Sequence, residues 1–349
     1  MNVSAGSRSR RWRRILSRAA PWMIAAGLLV IALRAVPFRD LVDTLKKLTW
    51  YQLVFLFLLN SVIVLLFSGR WWIILRAMNQ AVGYLKLSAY RLGAFAISYF
   101  TPGTQFGGEP IQVLLLYRHD KVPAPIGAAS VAIDKVIELL GNFTFLVFGA
   151  AVIARLGLFS EQSGNLLQLF AIGLLILPVL FLIASWQGRR PLSRLLAWMP
   201  RRLIARIHIL QRLEEMIAGI EQQVVAFCQE HAVSLMGAMF VSFITWLALL
   251  GEYWLMLRFL GIELNMLQAV AVLTIARFSF LIPLPGALGA LEIGQILALV
   301  SLGYTSTDGL SLAFLIRARD LVFGSLGFPG GNCGGQRYPI KFETGKQSK

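Results

Sequence analysis

Three stretches of this chain, residues 50–67, 166–186 and 232–251, run for 18 to 21 residues without one charged side chain. A helix crossing the roughly 30 Å hydrocarbon core of a bilayer needs about 20 consecutive apolar residues. Inside that core a segment must satisfy its own backbone, which leaves helices and closed barrels. Runs of this length specify helices, so the chain reads as an all-α polytopic membrane protein. Composition agrees: 57% of the 349 residues are hydrophobic and 14% are charged, against about a quarter charged in a soluble domain.

Net charge is +16, and so basic a chain invites a nucleic-acid reading. The basic residues, however, gather in "MNVSAGSRSRRWRRILSRAA" and "RRPLSRLLAWMPRRLIARIHILQRLEEM", beside apolar runs, where Lys and Arg mark cytoplasmic segments and meet anionic headgroups. Nucleic acid is therefore not an expected partner. The N-terminus reads as an uncleaved signal anchor, because Arg34 and Pro37, not a small-x-small site, end the run after "PWMIAAGLLVIAL". Arg10 and Arg11 make only a weak twin-arginine signal ahead of a chain that is itself membrane-embedded. Cys228 and Cys333 lie far apart without His neighbours at ligand spacing, so neither a disulfide framework, a zinc site nor any cofactor is expected. His119, His208 and His231 are isolated and read as solvent-facing.

Placing spans by hydropathy gives 20–37 and 50–77, followed by an apolar region, 84–117, that contains Arg91 and the segment "TPGTQFGGEP". Spans at about 126–156 and 166–185 come next. If residues 84–117 crossed once, the seven arginines between Arg189 and Arg212 would face outward, against the charge rule. A re-entrant helix pair turning at the Pro/Gly segment restores the parity. Downstream, a span at 232–259, a second broken region at 264–300 turning at "IPLPGALGALE", and a last span at 310–327 bring the C-terminus back inside. The charged stretch "FRDLVDTLKKLT" is the exception, falling outside with three basic residues.

The expected organisation is a basic cytoplasmic N-terminus (1–19), one membrane domain (20–327) and a disordered Gly- and Pro-rich tail (328–349). Within the domain, a cytoplasmic basic amphipathic connector at 187–231 separates repeat one (50–156) from repeat two (232–327) and reads as lying on the headgroups. The fold expected is thus about six full transmembrane helices plus two re-entrant helical hairpins in an inverted repeat, with both termini cytoplasmic.

The repeat rests on "TPGTQFGGEP" and "PLPGALGALE". Each has Pro-Gly followed six residues later by Glu, Gly103 to Glu109 and Gly286 to Glu292, and each Glu is followed about 25 residues on by a charged cluster, "AIDKVIE" or "LIRARDLVF". Inverted repeats with interrupted helices meeting near the midplane characterise many transporters.

Charged side chains at mid-bilayer cost about 2.5 to 3.5 kcal/mol each on insertion scales and face protein or water. Glu109, Asp134, Lys135, Glu138, Glu292, Arg317, Arg319 and Asp320 stand in such positions, with Arg91, Glu252 and Arg277 less deep. One reading makes them ion pairs that only hold the hairpins together. The other makes them a polar cavity in which Lys135, Arg317 and Arg319 bind a lipid phosphate beside free NH groups of the broken helices. Glu109 and Glu292 would then meet a cationic headgroup amine. Gly103, Gly107, Gly108, Gly286 and Gly289 would allow close backbone approach, with Gln105 and Gln112 alongside. Phe100, Phe106 and Phe278 read as packing.

"YFTPGTQFGGEPIQVLLLYR", "ASVAIDKVIELLG" and "PLPGALGALE" together resemble the lysylphosphatidylglycerol synthase transmembrane family of bacterial inner-membrane proteins, over about residues 50–327. The resemblance implies an inner-membrane location, and a membrane region that flips an aminoacylated phospholipid made elsewhere by a soluble domain. It would place Glu109, Asp134, Lys135, Glu292 and Arg317 or Arg319 along the lipid path. Gln112 and Lys135 depart from it, since an arginine is commoner at both places and binds phosphate in two-pronged fashion. The tail after Gly327 also lacks the longer apolar ending of the family.

Three functions follow. The first is translocation of a phospholipid or lipid-linked headgroup between leaflets, with anionic or aminoacylated phospholipid as partner. The second is a non-catalytic partner of a lipid-modifying enzyme, and the third an aminoacyl or glycosyl transferase. Against catalysis, residues 187–231 are too few for a domain of 50 or more and carry no nucleophile and base. Self-association in a homo-oligomer is compatible with each.

Overall fold

The computed structural model describes residues 48–100, 107–197 and 208–331, together with Arg39, Asp43 and Lys46. The expected span at 20–37, the basic N-terminus, Gly103, Gln105 and Phe106 of the first Pro/Gly segment, and the tail beyond Gly331 lie outside the described residues. All regular structure among the described residues is helical: α1 (Trp50–Ala77), α2 (Tyr84–Phe100), α3 (Glu109–Asp120), α4 (Ala124–Arg155), α5 (Glu161–Trp186), α6 (Pro191–Ala197), α7 (His208–Glu230), α8 (Ala232–Phe259), α9 (Met266–Leu281), a 3-10 turn (Pro285–Ala287), α10 (Ala290–Val300) and α11 (Ser306–Gly331).

Four helices, α1, α4, α5 and α8, are long and apolar enough to cross a membrane. At 1.5 Å per residue their 26 to 32 residues reach about 39 to 48 Å, beyond the hydrocarbon thickness. Of the six spans expected, these are four. The last expected span falls within α11, whose 26 residues are long enough but carry Arg317, Arg319 and Asp320 through the middle. Large apolar side chains such as Phe55, Leu58, Leu169, Leu177, Phe240 and Phe243 remain exposed on α1, α5 and α8, as lipid-facing surfaces require.

Local chemistry sets the breaks. Helix α3 ends at Lys121, left-handed at φ 55°, and Pro123 then starts α4. Asn265 and Gln268 cap α9 reciprocally, each side chain bonding the other's backbone NH at 2.9 and 3.0 Å. Each Pro/Gly region joins two helices folded into a hairpin. In the first, Lys86 near the start of α2 bonds Asp120 at the end of α3 at 2.6 Å. Gly108, before α3, lies against the Ala94 carbonyl and Ser98 on α2. In the second, Gly294 on α10 packs against Ser279 and Ile275 on α9. With 12 and 11 residues, α3 and α10 rise about 18 and 16 Å, roughly half a hydrocarbon core.

Helices α1 and α8 lie antiparallel and pack along their length. Asn60 and Arg70 of α1 bond Glu252 and Ser242 of α8, respectively. The halves then interlock, α2 packing on α11 and α9 on α4. Both crossings depend on glycine: a Cβ at Gly149 would collide with Thr274, and one at Gly327 with the Leu92 backbone. The largest apolar cluster, including Met256, Leu273, Leu291 and Ile316, ties α8 to α11 together.

The connector forms α6 and α7, with residues 198–207 between them outside the described set. Part of the apolar face of α7 packs on protein: Val224, Phe227 and Cys228 meet Ile74, Ile133, Ile137 and Leu235, while Met216 stays exposed. Glu221 further anchors it by accepting from the backbone NH groups of Leu192 and Ser193 at 2.6 and 2.8 Å. His119 is exposed and stacks edge-on with Tyr90, while His231 is half-buried against Phe227.

Candidate functional site

Within an apolar bundle, a buried ion needs an opposite charge at hydrogen-bonding distance, because the desolvation cost is repaid only by close, well-oriented partners. This chain gathers such partners into three neighbouring networks. In the first, Asp134 on α4 sits between two arginines, Arg70 of α1 at 2.6 Å and Arg91 of α2 at 2.5 Å. Glu138, one turn along α4, meets Arg70 at 3.3 Å and Lys135 at 2.9 Å. Lys135 also reaches Glu109, the first residue of α3, at 3.1 Å. Glu109 in turn accepts from the Gly107 NH at 2.7 Å, capping its own helix.

The second network lies at the turn of the other hairpin. Glu292, fully buried, grips Arg317 through both oxygens, one contact being 2.9 Å, and accepts from the Gly289 NH at 2.8 Å. The Arg317 guanidinium also donates to the carbonyls of Gly286 and Ala287 at 2.9 and 3.2 Å and to the Tyr99 hydroxyl at 3.1 Å. Gly286 and Ala287 are left-handed, at φ 56° and 50°. For alanine that costs about 1–2 kcal/mol, so Arg317 holds together a turn the backbone alone disfavours.

The third network belongs to α1, α8 and α11. Glu252 accepts from Asn60 at 2.8 Å and pairs with Arg319 at 3.1 Å, while Arg319 also meets Asp320 at 2.8 Å. Arg277 of α9 stands apart. Its guanidinium lies 4.9 Å from the centre of the Trp246 ring, and no carboxylate among the described residues is within ion-pair distance of it.

A cavity of about 300 Å³ joins the first and third networks. Arg91, Lys135, Arg277 and Arg319 line it, as do Glu109, Asp134, Glu138 and Asp320, four charges of each sign. Apolar residues from both halves, among them Phe67, Leu249, Leu273 and Phe323, complete the wall.

Of the residues expected from sequence to bind a headgroup, Glu109, Asp134, Lys135 and Arg319 line this space, with Gly108, Gln112, Glu138 and Asp320 beside them. Glu292 and Arg317 do not; they clamp the turn that carries Gly286 and Gly289. Nor are Lys135 and Arg319 unpaired cations awaiting a phosphate, since each already meets two carboxylates. Arg70, which is not among the residues singled out from the sequence, is 1% exposed and bonded to Asp134. Its signal was the absence of any acid three or four places away on α1, which forces its partner to be remote. No group of three His, Cys, Asp or Glu side chains suited to a metal occurs among the described residues.

Comparison with known proteins agrees with a membrane protein. Two proteins of Methanothermobacter thermautotrophicus, both named UPF0104 membrane protein, are similar to it. One is 25% identical over 263 residues, covering 72% of this chain and 76% of the relative. The other is 23% identical over 295 residues, covering 80% and 82%. Residues 18–327 match the family described as Lysylphosphatidylglycerol synthase TM region, and a match over that much of its length means that the chain belongs to this family of membrane proteins.

Proposed function

We propose that this protein translocates a phospholipid or a lipid-linked headgroup between leaflets, the headgroup passing through the cavity between the two hairpins while the acyl chains stay in the bilayer. The observation that carries this is the cavity itself: eight charged side chains from both halves face one space of about 300 Å³ among helices whose outer faces are apolar. That volume equals roughly ten water molecules at about 30 Å³ each, the scale of a headgroup. The family description, naming the membrane region of a lipid synthase, supports a lipid ligand.

In this proposal each hairpin is re-entrant, because α3 and α10 are too short to cross. The first opens to the cytoplasm and the second to the outside, in the inner membrane, with both termini cytoplasmic. Rocking of one half against the other would expose the cavity alternately. No cofactor and no covalent chemistry are required. A second reading, a membrane scaffold for a lipid-modifying enzyme, is favoured by one fact: the acids lining the cavity are already paired, as purely structural charges would be.

Purified protein in vesicles containing a fluorescent phospholipid separates the two. Translocation raises the fraction of label quenched by an added membrane-impermeant reductant above the half seen in empty vesicles. An unchanged fraction across anionic, zwitterionic and aminoacylated headgroups would remove the proposal.

A further inference from the structure

We infer that the cavity contains a phosphodiester site built on Arg277 and Asn142. This deepens the translocation proposal by naming the ligand class, and it rests on that proposal for its transport arm alone. Each other basic residue of the wall has an acid: Arg91 has Asp134, Lys135 has Glu109 and Glu138, and Arg319 has Glu252 and Asp320. Arg277 has none among the described residues. The carboxylates that face it from α4, α8 and α11, namely Glu138, Glu252 and Asp320, are engaged by Lys135 and Arg319.

Two residues that line the cavity each carry a buried nitrogen without an acceptor, the Nε of Arg277 and the Nδ2 of Asn142. An unsatisfied buried donor is costly, and more so when charged. Both are donors and one is cationic, a pair that an oxyanion with more than one acceptor atom would suit. The guanidinium is also held in place, because Trp246 beneath it stacks on Phe145 with ring centroids 4.8 Å apart. A planar fork fixed over an aromatic face suits two-pronged binding of a phosphate.

Charge selects the ligand further. The wall is neutral with Arg277 counted, four bases against four acids, so any bound anion leaves it negative, and one negative charge costs less there than the two of a dianion beside Glu109 and Glu138. A phosphodiester carries that one charge and brings apolar substituents to a wall containing Leu249, Leu273 and Phe280.

The test uses the full chain in detergent, titrated calorimetrically with dihexanoylphosphatidylglycerol, inorganic phosphate and octanoate. The expected result is binding of the diester in preference to both others. Arg277→Gln should weaken it about tenfold or more, as loss of a charge-assisted bond does, Arg277→Lys by less, and Asn142→Leu severalfold. Because Arg277→Gln removes an unpaired charge, the ligand-free variant should melt no lower than the wild type. Wild-type affinity for the diester in Arg277→Gln and Asn142→Leu would overturn the site, as would tighter binding of phosphate or octanoate. If Arg277→Gln fails to fold, Asn142→Leu alone decides. The vesicle assay keeps the two proposals apart: diester binding that depends on Arg277 in a protein that moves no lipid leaves the site standing and removes translocation. Transport by the wild type with binding indifferent to both substitutions does the reverse.

Discussion

Arg70 and Glu252 stand at the same place in the protein's two halves, each the twenty-first residue of a 28-residue helix. Each also reaches across to the eleventh residue of the other helix: Arg70 donates to Ser242 at 3.3 Å, and Asn60 donates to Glu252 at 2.8 Å. Reciprocal contacts of this kind between antiparallel helices define a local two-fold axis perpendicular to them. A second likeness lies in the two short helices. Lys135 pairs with Glu109 in one half and Arg317 with Glu292 in the other, and each glutamate accepts from a glycine NH at the start of its short helix. The equivalence is chemical in plan and opposite in sign at the helix pair, where a cation in α1 answers an anion in α8.

Arg70→Met leaves Asp134 with Arg91 alone and removes one of the cations facing Glu138. Breaking one side of a buried ion network costs about 3–5 kcal/mol, so thermal unfolding in detergent should show a large loss of stability. Adding Glu138→Gln should recover part of it. A melting temperature equal to wild type in Arg70→Met would mean that the network contributes nothing to folding.

The two glutamates of the repeat should behave differently. Glu109 keeps a partly exposed carboxylate in the cavity, and Lys135 retains Glu138 without it. Glu109→Gln is therefore expected to abolish lipid movement in vesicles while changing stability by about 1 kcal/mol or less. Glu292→Gln should instead destabilise by about 3–5 kcal/mol, because a fully buried acid holding Arg317 is lost. Equal melting temperatures for the two variants would contradict this division.

Close helix crossings give a steric test. Gly149→Ala drives its new methyl into the Thr274 side chain, and Gly327→Ala drives one into the Leu92 backbone. Both should lower the melting temperature. Only the first should be rescued by shortening its neighbour, Thr274→Gly, since a backbone carbonyl cannot be removed by substitution. Rescue of Gly327→Ala by Leu92→Ala would show that the α2 to α11 crossing is looser than described.

Labelling from the two sides of the membrane tests the inverted arrangement. In a chain carrying Cys333→Ser, His119→Cys should react with an impermeant maleimide only from the cytoplasmic face, and Glu263→Cys only from the opposite face. Both native side chains are largely exposed. Cys228 should stay silent in the background, because burial pushes its thiol up to about 11, so little thiolate exists at pH 8. Reaction of both introduced cysteines from one face would remove the inversion, and rapid labelling of Cys228 would contradict its burial.

The sequence by itself determined the membrane class, the four long apolar helices and the two breaks, because each depends on neighbouring residues. A bilayer-length run without charge is a span, and Pro and Gly interrupt a helix wherever they cluster. The spacing that sets Glu109 and Glu292 six residues after a Pro-Gly is likewise local, and each of the two accepts from a glycine NH near the start of a short helix. Only tertiary structure decided which charge meets which. Arg70 finds Asp134 64 residues away, Asn60 finds Glu252 192 away, and Arg317 reaches Tyr99 across 218. Local sequence carries no record of those distances. The same limit explains why Arg317 read as a lipid ligand and became a brace for a strained turn, while Arg277, one basic residue among several in the sequence, emerged as the cation without an acid. A charge acquires its role from what the fold leaves within about 4 Å of it, and that is fixed by how the two halves interlock.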